Sequence, residues 1–195
     1  MILKEIKVKS IIVKSNLPEG DFVINPYVGC QHGCIYCYAR FMKRFTGHTE
    51  PWGEFVDVKI NAPDLIPKKT NEFRNKLIII GSVCDPYQPI ERKYRLTRKI
   101  LKRLIPLQPH LDLMTKSDLV VRDIDLFKQF KNCIVGVSLS VLDEKLKKEL
   151  EPFLSSTKAR MDVLKKLYRA GVQTALFISP ILLKNICSCS IYLNR

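Results

Sequence analysis

No run of apolar residues in this sequence is long enough to cross a bilayer. The longest, "ALFISPILL" near the end, falls far short of the about 20 residues a spanning helix needs, and Pro180 interrupts it. Lysines scattered through "MILKEIKVKSIIVKS" deny the N-terminus the apolar core of a secretion signal, so a cytoplasmic location with no membrane partner is expected. Short tandem repeats and low-complexity segments are missing, which speaks against solenoids and disordered tracts. Acidic residues are scarce: 19 stand against 33 basic ones, a formal charge of +14. That excess favours a polyanionic partner, nucleic acid ahead of a membrane surface, although a lysine-rich solvated surface would give the same balance.

What is present suits one soluble globular domain. The 195 residues, 46% hydrophobic and 27% charged, can bury a substantial core. Strand-like apolar runs occur at 22–25, 77–83, 110–115, 133–139 and 172–179, and "FVDVKI" at 55–60 alternates like a short peripheral strand. Helical spacing is seen over 92–105, 122–130, 142–150 and 158–170. The last has "SST" ahead of it as cap material and Gly171 behind. Strands alternating with helices imply βα units and a parallel sheet. No linker splits the chain. The expected division is an N-terminal extension over 1–20, a core domain over 21–180 and a divergent tail over 181–195.

Polar residues gather where the predicted strands end. Cysteines follow the first, Ser82 and Asp85 the second, and Thr115, Lys116 and Ser117 the third. Ser138 and Ser140 close the fourth, and Ser179 the fifth. The carboxyl ends of parallel strands converge on one face, where active sites are built. Polar residues also punctuate strand ends for ordinary reasons, so it is the coincidence of five sets that carries weight.

Seven cysteines is an odd number, and their spacing is no extracellular disulfide framework. Three of them, Cys30, Cys34 and Cys37, crowd into "NPYVGCQHGCIYCYAR" at C-x3-C-x2-C spacing. Structural zinc takes four closed ligands, commonly from two C-x2-C pairs, and no second pair exists. Ferredoxin-type [4Fe–4S] clusters also take four cysteines. Three thiolates on such a cluster leave one iron open to a small molecule. Gly29 and Gly33 permit a loop wound closely around a cofactor. Two plainer readings stay open, a three-cysteine zinc site and cysteines used as small core residues. The C-x-C pair Cys187 and Cys189 is a weak metal signal.

"CQHGCIYCYAR" resembles the cluster loop of radical S-adenosylmethionine (radical SAM) enzymes. With "GSVCDPYQPIERKYRLTRKIL", "TKSDLVVRDIDLF", "VGVSLSVLDE" and "LEPFLSSTKARMDVLKKLYRAGV", the chain resembles their spore photoproduct lyase-like branch, often described as DNA repair photolyase-like, over about 21–180. The resemblance implies an α/β fold, a partial (β/α)6 TIM-like barrel of which about five βα units are present. It implies a [4Fe–4S] cluster on Cys30, Cys34 and Cys37, and S-adenosylmethionine (SAM) cleaved reductively to a 5′-deoxyadenosyl radical. It places Tyr36 near the adenine, and Ser82 and Asp85 near SAM's amino group. Lys116 and Ser138 fall near its carboxylate or ribose, with Glu151 and Arg160 completing the pocket. For each of these, ordinary loop or capping duty is the competing reading. Expected partners are SAM, nucleic acid (or RNA or a peptide as alternatives) and a reductase or ferredoxin-type electron donor; the other alternative is a non-catalytic metal-binding protein.

Two departures from the family pattern stand out. The spore lyase carries a hydrogen-donor cysteine beside its second strand; Cys84 is near that place, but pairing the "DP" dipeptides puts Ser82 there. After "FISP", the tail "ILLKNICSCSIYLNR" matches no family pattern, so a truncated barrel with an exposed edge at 172–179 is expected. The basic run "ERKYRLTRK" is expected on the solvated face of an outer helix.

Overall fold

All five apolar runs become parallel strands of one sheet. The computed structural model describes residues 1–18 and 20–181. In chain order its strands are β1 (Ile2–Ile6), β2 (Ile12–Lys14), β3 (Phe22–Ile24), β4 (Tyr27–Val28), β5 (Phe55–Lys59), β6 (Leu77–Ile80), β7 (His110–Thr115), β8 (Cys133–Ser138) and β9 (Gln173–Phe177). The main sheet runs β2-β3-β6-β7-β8-β9. β3, β6, β7, β8 and β9 are mutually parallel, in registers such as Ile24↔Ile80, Leu113↔Val135 and Val137↔Leu176. Its outer strands do not pair with each other, which leaves the open, mostly parallel sheet of a partial TIM-like barrel.

The helices return the chain between parallel strands and close one face of the sheet. Ile78, Ile80, Leu113, Val135 and Val137 pack with Ile100, Leu104, Phe127, Val163 and Leu167 in one buried cluster. β8 lies inside the sheet, and five of its six residues are buried, as a strand covered on both faces requires. Ser156 accepts from the Ala159 amide at 3.1 Å to cap the helix Thr157–Arg169. Asp143 caps Glu144–Leu150 in the same way through Leu146.

Two helical stretches differ from the sequence reading. The segment 92–105 is not one helix but two, Glu91–Tyr94 and Leu96–Leu104, separated by Arg95 in the left-handed region at φ 52°. The cause is Glu91, whose carboxylate accepts from the amides of Thr97 and Arg98 and so starts a new helix there. The stretch 122–130 begins as a 3-10 turn over Asp118–Asp123, and only Ile124–Phe127 is α-helical. The basic run is also only partly solvated. Arg92, Lys93, Arg95 and Lys99 are exposed, whereas Arg98 bonds Asp123 and Asp125 at 2.7 and 2.8 Å. Glu91 is fully buried, receiving the Tyr27 hydroxyl and the Arg122 guanidinium.

The N-terminal strands β1 and β2 are woven into the fold. β1 pairs in parallel with β5, which also pairs with β4, forming a separate three-stranded sheet; β2 runs antiparallel along β3. Among the described residues β9 has one neighbour, β8, and it exposes Leu176 and Phe177 about half. Cys187, Cys189 and the rest of the expected tail beyond Ile181 lie outside the described residues. No helix among the described residues is long and apolar enough to cross a membrane.

Candidate cofactor site

The cysteine loop starts where β3 ends, and Asn25 ties it to the neighbouring strand end. Its amide nitrogen donates to Ser82 Oγ at 3.0 Å and its Oδ1 accepts from the Val83 amide at 3.0 Å. Gly29 then turns the chain at φ 86°, with a Cβ there falling 2.4 Å from the Phe55 carbonyl oxygen. Gly33 turns it again at φ 57°, directly against Gly53 and the ring of Phe153. A side chain at either position would strain the backbone or collide. Gln31 and Gln88, both buried, lace this loop to the one after β6: the Gln31 amide donates to Gln88 Oε1 at 2.8 Å, and Gln88 Nε2 to the Gly29 carbonyl at 3.3 Å.

Cys30 and Cys34 are buried in this loop and Cys37 is partly so, and all three are free thiols. Burial drives the Cys30 thiol well above its ordinary range and Cys34 up to about 12, the Lys116 ammonium opposing the shift at Cys34. Burial raises Cys37 as well. Such thiols stay protonated until a cation arrives to stabilise the thiolate. Among the described residues no three His, Cys, Asp or Glu side chains gather as one metal ion requires. A four-iron cluster takes each thiolate at a separate corner, so a soft, all-sulfur donor set on a loop stripped of Cβ bulk fits it.

Five of the residues singled out in the sequence meet in one network beside the loop. Glu151, fully buried, accepts the Tyr36 hydroxyl on Oε1 and the Arg160 guanidinium on Oε2 at 2.7 Å. Lys116 Nζ lies 3.9 Å from Glu151, donates to Ser138 Oγ and stands 5.5 Å from the centre of the Tyr36 ring. Arg160 also donates to the Ser138 carbonyl at 3.2 Å, while its Nε has no partner among the described residues. The cluster loop, β7, β8 and the 151–160 segment thus converge on one point at the carboxyl edge of the sheet.

Asp85 and Ser82 sit differently. The Asp85 carboxylate is already engaged by three donors: Oδ1 accepts from the Tyr87 amide at 2.8 Å and Thr115 Oγ1 at 2.7 Å, and Oδ2 from the Lys116 amide at 2.8 Å. His32 Nε2 lies 3.1 Å from Oδ2 but is not aligned as a hydrogen bond, and among the described residues its Nδ1 has no hydrogen-bond partner either. Although desolvation opposes it, the His32 contact and these donors hold Asp85 below the usual carboxylate range. With its lone pairs so engaged, Asp85 braces the cysteine loop against the end of β7. Ser82 stands apart from the Glu151 network, with Asn25 on its hydroxyl and Tyr38 donating to its carbonyl. Cys84 packs with Tyr27, Val56, Val58 and Leu96 in the second core cluster. Thr115 was noted at its strand end, but Asn25, Gln31, His32 and Gln88 were not singled out in the sequence, because their contacts cross between strand ends that only the folded sheet brings together.

A second concavity lies behind the 3-10 helix Tyr38–Phe45, a cleft of about 430 Å³ lined by Lys4, Met42, Phe45, His48 and Asp57 among others. His48 bridges Glu50 at 3.1 Å and Asp57 at 2.9 Å and stacks on Phe55. Desolvation pulls its pKa down, but the two carboxylates outweigh it and the net shift is upward from 6.5. Its contribution to stability is therefore complete below about pH 6.5 and is lost as pH rises through the raised value. The difference in melting temperature between wild type and His48→Gln is expected to shrink from pH 5.5 to pH 8.5; a difference that grows with pH would contradict the pairing.

An open parallel partial barrel with free cysteines looped over its carboxyl edge is the class that fold and site define. The chain belongs to the Radical SAM superfamily, whose family profile matches residues 24–186. It is 46% identical over 178 residues to an uncharacterized protein of Methanocaldococcus jannaschii, spanning 91% of this chain and 67% of that one. An uncharacterized protein of Acidianus two-tailed virus is 33% identical, over 87% of this chain and 58% of that one. Among solved structures, spore photoproduct lyase complexed with dinucleoside spore photoproduct superposes with a TM-score of 0.72 at 18% identity, over 93% of this chain and 52% of that one. A mutant of that lyase with bound AdoMet and the same dinucleoside gives 0.71 at 17% identity. The chain thus spans about half to two thirds of the length of these proteins.

Proposed function

We propose that this chain binds a [4Fe–4S] cluster through Cys30, Cys34 and Cys37, binds SAM beside it, and directs the resulting radical chemistry at nucleic acid. The observation that carries the reading is the convergence of the free-cysteine loop and the Tyr36–Glu151–Arg160–Lys116–Ser138 network at the carboxyl edge of one parallel sheet. Membership of the Radical SAM superfamily supports the cofactor pair. Fold neighbours holding AdoMet and a dinucleoside support the substrate class.

When bound, an open-iron cluster supplies the electron that cleaves SAM to methionine and a 5′-deoxyadenosyl radical. The chain's own residues position and shield. Lys116, held by Ser138 at the rim of the network, offers a cation to SAM's carboxylate. Tyr36, fixed by Glu151, presents a ring face of the kind an adenine stacks on. The buried Glu151–Arg160 pair fixes both from below, so little reorganisation accompanies binding. Asp85 holds the cysteine loop and the Lys116 backbone in register. A reductase or ferredoxin-type protein is the proposed electron donor.

The nucleic-acid part has its own test. Binding of a duplex oligonucleotide is expected to weaken steeply with salt, each phosphate neutralised adding roughly −0.9 to the log–log slope. With the spore photoproduct installed in an oligonucleotide whose thymines are deuterated at C6 as well as at the methyl groups, label is expected in 5′-deoxyadenosine. Salt-insensitive binding and no label transfer would remove nucleic acid as the substrate. A phage relative, the radical SAM Nalpha-GlyT isomerase of Pseudomonas phage M6, is 23% identical over 158 residues.

A further inference from the structure

The 3-10 helix Tyr38–Phe45 begins at the residue after the last cluster-loop cysteine and turns aromatic rings to solvent. Tyr38 is 70% exposed, Phe41 43% and Phe45 67%. Exposed rings gathered on one short helix form an apolar patch of the kind that marks an interaction surface. Phe153, 65% exposed, lies on the other side of the loop with its ring against Gly33. The rings are interleaved with cations. The Arg44 guanidinium lies 5.5 Å from the Phe41 ring centre and 4.8 Å from that of Phe45, and the two rings meet edge to face. Arg40 and Arg44 are exposed, and among the described residues neither is paired with a carboxylate. No Asp or Glu occurs between Asp21 and Glu50, so the helix itself contributes positive charge alone.

We propose that this helix is a platform for unpaired nucleotides, on which bases stack against Phe41 and Phe45 while Arg40 and Arg44 meet the phosphates. The proposal rests on the nucleic-acid reading above and specifies the form of the strand. Exposed ring faces reward a base only when it has left its own stack, whereas a duplex offers this surface phosphates alone. Arg40, held by the Ile35 carbonyl, and Arg44 supply the complementary charge, and Arg44 also holds both rings in place through its guanidinium plane. The helix starts one residue beyond Cys37, with Phe41 and Phe45 four and eight residues on, so a strand lying along it leads toward the cofactor site. A single-stranded segment or an extruded nucleotide is therefore the form presented to it.

The experiment is fluorescence anisotropy of a labelled twelve-nucleotide oligo(dT) and a twelve-base-pair duplex, with reconstituted protein under anaerobic conditions at fixed salt. The wild type is expected to bind the single strand more tightly than the duplex. Phe45→Ala and Phe41→Ala should each weaken single-strand binding at least about fivefold, the low end of one base–aromatic stack, and leave duplex binding nearly unchanged. Phe45→Tyr should restore it, and Arg169→Gln on the distant helix should have no such effect. Both phenylalanines are exposed, so circular dichroism should report folded variants. Single-strand binding that survives both alanine variants, or tighter binding of the duplex, would overturn the platform while leaving the nucleic-acid reading intact. A wild type that binds neither oligonucleotide would overturn both, and would mark the ring face as a protein-docking surface.

Discussion

Replacing Arg160 with methionine is expected to destabilise the chain by about 3–5 kcal/mol, the usual result of breaking a buried pair from one side. Arg160 and Glu151 are both fully buried, and their 2.7 Å contact lies beside the Ser138 carbonyl that Arg160 also holds. The variant leaves the Glu151 carboxylate out of water, with Tyr36 as its remaining close donor and Lys116 at 3.9 Å. In a chain of this size each kcal/mol moves the melting temperature roughly 2–4 °C, so a fall of about 6–20 °C is expected. Removing both charges together, as Glu151→Leu with Arg160→Met, should cost less than the two single changes summed. Urea unfolding of the four proteins measures this. Additive losses would mean that the two side chains act independently and that the pair does not organise the site.

The second large effect concerns the cysteines. Cys30→Ala, Cys34→Ala and Cys37→Ala are each expected to lose most of the iron taken up on anaerobic reconstitution and the brown colour with it. Three thiolates are the whole protein ligand set proposed, so the loss of one leaves two irons without a protein ligand. Cys84→Ala and Cys133→Ala should keep full iron, because the first packs in the core cluster around Tyr27 and the second at the start of β8. Iron and sulfide analysis decides it. Full loading in all three loop variants would place the cluster elsewhere.

The strands were legible because each is an apolar run bounded by turn residues, and the main sheet realises all five. β1 and β2 were not, since they lie among scattered lysines and gain their pairing from β5 and β3, far along the chain. The break at Arg95 was hidden for a similar reason: a single carboxylate, Glu91, caps the second helix from a position inside the apparent first one. In the site, the cysteine spacing marked the loop while leaving zinc and core readings open, and Asp85 drew attention by its position at a strand end. Its role as a brace for His32, Thr115 and Lys116 depends on three loops meeting, which no local pattern records. The aromatic helix was readable as residues but not as a surface. Helical aromatics ordinarily face a core, and only the fold leaves Phe41 and Phe45 outside.

The most direct measurement is the yield of 5′-deoxyadenosine from anaerobically reconstituted protein given SAM and a strong reductant. Product is expected from the wild type, together with a change in the electron paramagnetic resonance spectrum of the reduced cluster when SAM is added. Full iron loading with no spectral change and no 5′-deoxyadenosine would contradict an open iron facing a SAM pocket bounded by Tyr36, Lys116 and Glu151.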